Sequence, residues 1–289
     1  MASSRFLSLL NSIIHGRQML HLEYPVKMKP RYGHGLPPHQ QLYSIIDQHR
    51  EEYKQLLVDV LSLKEHFITI SEQSKNQDAQ SPGWNNGFLP GLDIVMLYIM
   101  MAKFKPATYI EIGSGNSTKV AFKAKKDLQL SSRIISIDPA PRAEIDALTD
   151  QVIRKPFEEV DLSVFSKLVA GDIVFVDNSH RMFPNSDATV FFLDVLPNLP
   201  EGVIVHVHDI YLPYDYPQFM CDRFYSEQYG LAAFLLANPQ RYHTLMPNYF
   251  VSEDAELNKI LEPLWNDASM PKVEKHGGSY WIKIVNRQS

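Results

Sequence analysis

The chain has 289 residues, 45% of them hydrophobic, a net charge of −5 and one cysteine, Cys221. That length holds one large α/β domain plus an appended segment, and the negative balance argues against sequence-independent nucleic-acid binding. A lone cysteine excludes an intrachain disulfide and fits a reducing, cytoplasmic setting. No apolar run approaches the roughly 18–20 residues of a membrane span; the strongest, Ile94 to Ala102, is much shorter.

Taken in chain order, residues 1–22 carry Arg5 and Arg17 without an acidic residue, and Phe6, Leu9, Leu10, Ile13 and Ile14 recur at helical spacing. Docking of this amphipathic helix on the domain is the favoured reading, since no small-residue cleavage signal follows. An organellar presequence stays open. Ser8, Asn11 and Ser12 interrupt the apolar core that a secretory signal needs. Tyr24 to Pro38 is rich in proline and glycine and reads as an irregular arm. Gln40 to Phe67 keeps a 3.6-residue apolar period and predicts helix, Ser71 to Gly87 a polar loop, and Pro90 to Lys103 an apolar helix.

Beyond Pro106, strand-like and helix-like segments alternate, the pattern of a parallel sheet covered on both faces. Strands are expected at 107–112, 133–138, 151–154, 172–177, 203–208, 242–247 and 279–285. Helices are expected near 117–127, 142–149, 161–168, 186–196 and 217–237. Gly277-Gly278 is expected to turn a hairpin into the last strand. Residues 1–80 then form a helical N-terminal extension or cap, and 81–289 the main domain.

The most informative stretch runs from Tyr109 to Thr118: an apolar strand bearing Glu111, then Gly113-Ser114-Gly115, then Asn116-Ser117-Thr118 opening a helix. Glycines there let backbone approach a ligand, and free N–H groups at a helix start attract polar atoms. The next strand ends in Asp138, suited to accept hydrogen bonds from both hydroxyls of a ribose. A dinucleotide fold wants a third glycine, and that place is held by β-branched Thr118; Glu111 would also repel a pyrophosphate. The alternative without a ligand is a purely structural βα turn.

The run Glu111-Ile112-Gly113-Ser114-Gly115-Asn116-Ser117-Thr118, followed by Ile134-Ile135-Ser136-Ile137-Asp138, resembles the first two cofactor motifs of class I S-adenosylmethionine (SAM)-dependent methyltransferases, across roughly residues 85–285. Ser117 replaces the usual third glycine. The resemblance implies a seven-stranded, doubly wound, mostly parallel α/β sheet with the last strand antiparallel. It implies SAM as cofactor, held by Glu111, Gly113, Ser114, Gly115, Asn116, Ser117, Asp138, Phe157 (against the adenine) and Asp177. It implies methyl transfer to an oxygen or nitrogen of a small molecule, such as a sugar or natural product. Another SAM-consuming transferase or cyclase, or a non-catalytic SAM-binding subunit, is the alternative.

The remaining strand ends supply candidate chemistry: Asp177-Asn178-Ser179-His180 and His206-Val207-His208-Asp209. This pair resembles the D-x-x-H…H-D pattern of a methyltransferase branch that tailors sugars and natural products. Asp177, His180, His208 and Asp209 are the catalytic candidates. His180 or His208 would be a general base, or Asp177, His208 and Asp209 would hold a divalent metal. Histidine at 208, where such enzymes often carry a second carboxylate, favours the metal-free reading. His206 reads as a core histidine. Tyr211, Tyr214 and Tyr216 are candidates to wall a substrate pocket, with packing on the N-terminal helices as the equal alternative. Trp84 to Phe88 is a weaker lid candidate. A homodimer is left open.

Overall fold

The computed structural model describes residues 22–72, 80–141 and 144–286. Seven strands form one sheet: β1 Thr108–Ile112, β2 Arg133–Ile137, β3 Gln151–Ile153, β4 Ile173–Val176, β5 Ile204–Val207, β6 Tyr242–Pro247 and β7 Tyr280–Ile284. Their spatial order is β3-β2-β1-β4-β5-β7-β6. The first five pair in parallel, and β7 runs antiparallel between β5 and β6. Each expected strand is present, with ends within about two residues of expectation. Central strands are apolar and β-branched because helices cover both faces; every residue of β4 and β5 is buried, His206 included.

The chain leaves β1 toward β2 and β3, then returns to lay β4 on the other side of β1. That reversal opens a crevice outside the ends of β1 and β4, where α/β sheets bind ligands. Helix Asn116–Asp127 starts at this crevice, and helix Gly91–Phe104 is buried from Gly91 to Met101. Helices Gln40–Asp47 and Arg50–Ser62 share the same apolar core through Leu42, Ile46, Tyr53, Leu57 and Val60. Arg50 ties them to the C-terminal part by two hydrogen bonds to Asp254, at 2.8 and 2.9 Å. Among the described residues, no helix is long and apolar enough to cross a membrane.

Several helical expectations change. The segment expected at 217–237 is two helices, Gln218–Cys221 and Glu227–Ala237, because the N–H groups of Ser226 and Glu227 turn to the carbonyl of His180. The segment at 186–196 is one α turn, Asp187–Val190, followed by a π turn, Phe191–Val195. Those at 161–168 and 142–149 are 3-10 turns, Leu162–Lys167 and Asp146–Leu148; residues 142 and 143 lie outside the described residues. Three short helices, Asn248–Glu253, Ala255–Lys259 and Glu262–Trp265, fill the connection from β6 to β7. Gly277-Gly278 is therefore no hairpin turn; the Gly278 N–H donates instead to Asp93. The amphipathic pattern of residues 1–21 lies outside the described residues.

Candidate active site

The turn after β1 is built on one close approach. Gly113 has φ +81°, and a Cβ there would stand 1.9 Å from the carbonyl oxygen of Asp177, so only glycine fits. A Cβ on Gly115 would meet nothing within 4 Å. The second glycine thus leaves open space beside the turn, where it lines a small cavity. Glu111, wholly buried, accepts hydrogen bonds from the hydroxyls of Thr118, Ser117 (3.1 Å) and Tyr109 (3.3 Å). Thr118 also accepts from the Gly115 N–H at 3.1 Å, which fixes the helix start. Burial pushes the Glu111 pKa up to about 8, since three hydroxyls do not repay the lost hydration.

A cavity of about 340 Å³ opens beyond the turn, lined by Gly113, Ser114, Asp138, Phe157 and Asp177 among others. Asp138 holds the loop edge: its Oδ2 accepts from the N–H (2.9 Å) and hydroxyl (3.1 Å) of Ser114, and its Oδ1 from the Ala140 N–H (2.8 Å). Phe157 is buried, edge-on to Phe165. A small cavity of about 50 Å³ is lined by Phe88, Leu89, Ser114, Gly115, Asn116, Ser117 and Asp177. A larger one, of about 470 Å³, contains Asp177, His180, His208, Asp209, Tyr211 and Tyr225 in its wall. Asp177 is the one residue common to all three.

Around Asp177, charges alternate in a ring. His180 Nε2 lies 3.4 Å from Asp177 Oδ1 and 3.4 Å from Asp209 Oδ2. His208 Nδ1 lies 3.6 Å from Asp177 Oδ1 and from Asp209 Oδ1. Each imidazole has a buried carboxylate behind it: His180 Nδ1 bonds Glu227, and His208 Nε2 is 3.4 Å from Asp93. Asp93 is itself anchored by Asn248 and by the N–H groups of Gly278 and Ser279. Burial pushes the His180 pKa down, but Glu227, Asp209 and Asp177 outweigh it and lift it to about 9. His208 is raised well above its ordinary value against the same burial, by Asp209, Asp177 and Asp93. Burial would raise Asp177, yet His208 and His180 hold it well below the usual carboxylate range. His180 and Asp209 both adopt left-handed backbone, with φ +62° and +53°, a conformation uncommon outside glycine that clusters at functional sites.

The structure thus gathers Asp177, His180, His208 and Asp209 at one rim, with Ser114, Gly115, Asn116, Ser117, Asp138 and Phe157 in the adjoining cavities. Glu111 stands behind the turn and lines none of these three cavities. Tyr211 lines the large cavity, whereas Tyr214 and Tyr216 do not. Tyr214 packs on Gly33 of the N-terminal arm, and buried Tyr216 accepts the Gln228 N–H. Described residues before Gly87 contribute nothing to that wall, though Gly87 and Phe88 do. His206 is fully buried, stacked on Phe175 at 3.7 Å and bonded to Ser279 at 2.6 Å. Asp93 and Glu227 escape the sequence reading. For Asp93 the available signal is a carboxylate near the start of an otherwise apolar helix; for Glu227 there is none.

Residues 110–210 match a family model described as a methyltransferase domain. No curated protein matches the chain. Among solved structures, the SAH-bound methyltransferase PaMTH1 of Podospora anserina aligns at 14% identity over 88% of this chain and 100% of its own, with TM-score 0.41. The plantazolicin methyltransferase BpumL in complex with SAH aligns at 12%, over 84% and 99%, with TM-score 0.38. Coclaurine N-methyltransferase, bound to N-methylheliamine and SAH, aligns at 9%, over 86% and 94%, with TM-score 0.35. Likenesses this low bear on neither substrate nor mechanism. The matched span runs from β1 to just past β5 and holds the turn, Asp138, Asp177, His180, His208 and Asp209. Over residues 110–210 the chain is similar to a methyltransferase domain.

Proposed function

We propose that the chain binds SAM across the ends of β1, β2 and β4 and methylates an oxygen or nitrogen of a small molecule held in the 470 Å³ cavity, with His180 as proton acceptor. The observation that carries this is the position of Asp177, where the three cavities meet. SAM supplies an electrophilic methyl group on a cationic sulfonium. Asp138 and Phe157 suit its ribose and adenine, and the open side of Gly115 leaves room for backbone approach. Four carboxyl groups, of Asp93, Asp177, Asp209 and Glu227, surround the two imidazole rings, and Asp177 is held in its ionised form, which favours a cation beside it. The acceptor cavity mixes Arg223 and Glu274 with Phe88, Phe219 and Tyr225, a wall that suits a polar molecule with an apolar face, such as a sugar conjugate or natural product.

His180 has the geometry of a base oriented by a third group. Glu227 holds Nδ1, so the neutral ring carries its proton there and offers Nε2 to the cavity. A pKa of about 9 keeps His180 protonated at pH 7 in the free protein. A cation arriving at Asp177 weakens that hold and favours the neutral ring. A metal fits this rim less well. The imidazole of His180 already stands between the carboxylates of Asp177 and Asp209. Among the described residues, Asp177, His208 and Asp209 do not form a group whose ligand atoms all lie within 4.8 Å of one another.

The test uses SAM labelled in its methyl group and a panel of hydroxyl- and amine-bearing acceptors, with products followed by mass spectrometry. Labelled product and S-adenosylhomocysteine are expected, and activity should survive exhaustive chelation. Loss restored by one divalent ion would remove the metal-free mechanism. Release of methylthioadenosine without a methylated product would instead point to aminopropyl transfer or cyclisation.

A further inference from the structure

Away from the strand ends, His49, Glu52 and His243 converge from two separate elements. His49 immediately precedes helix Arg50–Ser62, Glu52 lies in its first turn, and His243 sits on the outermost strand β6. Glu52 spans the gap: Oε1 is 3.1 Å from His49 Nδ1, and Oε2 is 2.9 Å from His243 Nε2. The two imidazole centroids are 4.3 Å apart with the rings inclined at 71°. One ligand atom from each residue lies within 4.8 Å of the other two. A tetrahedral ion with bonds of about 2.0–2.2 Å needs its ligand atoms roughly 3.3 Å apart, so small side-chain shifts suffice.

The geometry points to a binding site for a divalent ion of the zinc type, held by His49, Glu52 and His243 with a fourth position open to water. Two imidazole nitrogens and one carboxylate suit zinc, whereas magnesium and calcium take oxygen ligands. All three side chains keep partial exposure, 23%, 49% and 25%, so an ion can enter from solvent. Arg50, next in sequence, is committed to Asp47, Asp254 and Glu256. Lys283 stands opposite His243 on β7, and its long stem lets the ammonium turn to water. An ion here fastens the N-terminal helices to the edge of the sheet, so its effect falls on stability and not on methyl transfer.

The experiment titrates the full chain with Zn²⁺ against a chromophoric chelator, reads Co²⁺ absorption as a probe of tetrahedral ligation, and follows Tm. Wild type should bind one more Zn²⁺ than His49→Ala or His243→Ala, and excess Zn²⁺ should raise its Tm by several degrees. Glu52→Gln, which keeps the side-chain shape, should weaken that binding at least tenfold. Asp209→Asn should retain the ion, which separates this site from the catalytic rim. Equal Zn²⁺ stoichiometry and affinity in wild type and both histidine variants would overturn the proposal.

Discussion

Glu111 and Asp177 are carboxylates at the ends of paired strands, and the Asp177 N–H donates to Ile112, one residue beyond Glu111. Burial pushes both pKa values up. Around Glu111 three hydroxyl dipoles compensate in part, and its pKa climbs to about 8. Around Asp177 stand two imidazole rings, and its pKa falls instead. Full charges at 3.4–3.6 Å outweigh desolvation, and hydroxyls do not. Glu111 therefore shapes the turn while Asp177 supplies a standing negative charge at the crevice.

The largest expected effect comes from removing that charge. Asp177→Asn should lower kcat about 10²–10³-fold. It should also move the rise of kcat/KM with pH, expected near the His180 value of about 9, to lower pH, because His180 loses one of three carboxylates that hold its proton. An unmoved pH limb would detach Asp177 from His180. Next, Asp93→Ala strips His208 Nε2 and the Gly278 and Ser279 N–H groups of their shared acceptor, while Asp177 and Asp209 still face His208 Nδ1, and should cost about 1–3 kcal/mol in urea unfolding at pH 6. The sign follows from both shifts. The depressed pKa of Asp93 gives stability that is lost as pH falls below its ordinary 3.8, and the raised pKa of His208 gives stability that is lost at alkaline pH. An unchanged midpoint would show that the pair only offsets its own desolvation.

A smaller change is expected at the cofactor end. Asp138→Ala removes the proposed ribose acceptor and should weaken SAM binding by about 1.5–3 kcal/mol, read by calorimetry. Wild-type affinity would unseat Asp138. The subtlest test returns to Glu111. With a pKa near 8 it is mostly protonated at pH 7, so its raised value costs stability progressively as pH rises from 4.5 through about 8. Glu111→Gln should flatten that decline. A cationic ligand near the turn would favour the ionised carboxylate, so Glu111→Gln should also reduce proton release on SAM binding, measured in buffers of different ionisation enthalpy. No difference in either would mean that Glu111 is already ionised.

The sheet is legible in the sequence because strands buried on both faces must be apolar throughout, as Ile173 to Val176 are, between polar ends. The strand tips are legible for the converse reason: Asp138, Asp177 and His208-Asp209 interrupt such runs. The partners of those tips are not. Asp93 meets His208 only because β7 brings Gly278 and Ser279 beside the start of helix Gly91–Phe104. Glu227 looks like any acid in a first helical turn until the His180 carbonyl breaks the preceding segment. Thr118, which removes the third glycine of a dinucleotide turn, is also the residue that bonds Glu111. So Glu111 reads as a counter-charge for a ligand, while its oxygens are taken from within. Tyr214 and Tyr216 show a last limit, since spacing along a loop does not fix which way its rings turn.

The antiparallel insertion of β7 between β5 and β6 has a consequence for biosynthesis. A nascent chain emerges from its N-terminus, so the ribosome has made the cofactor turn and both histidine-bearing tips long before residues 276–284. Until those residues arrive, β6 has no neighbour in the sheet, Asp93 lacks the Gly278 and Ser279 donors, and the 470 Å³ cavity lacks the wall that His276 and Gly278 provide. A polypeptide interrupted before that point carries the glycine turn without the complete wall of the 470 Å³ cavity and without the donors that hold Asp93.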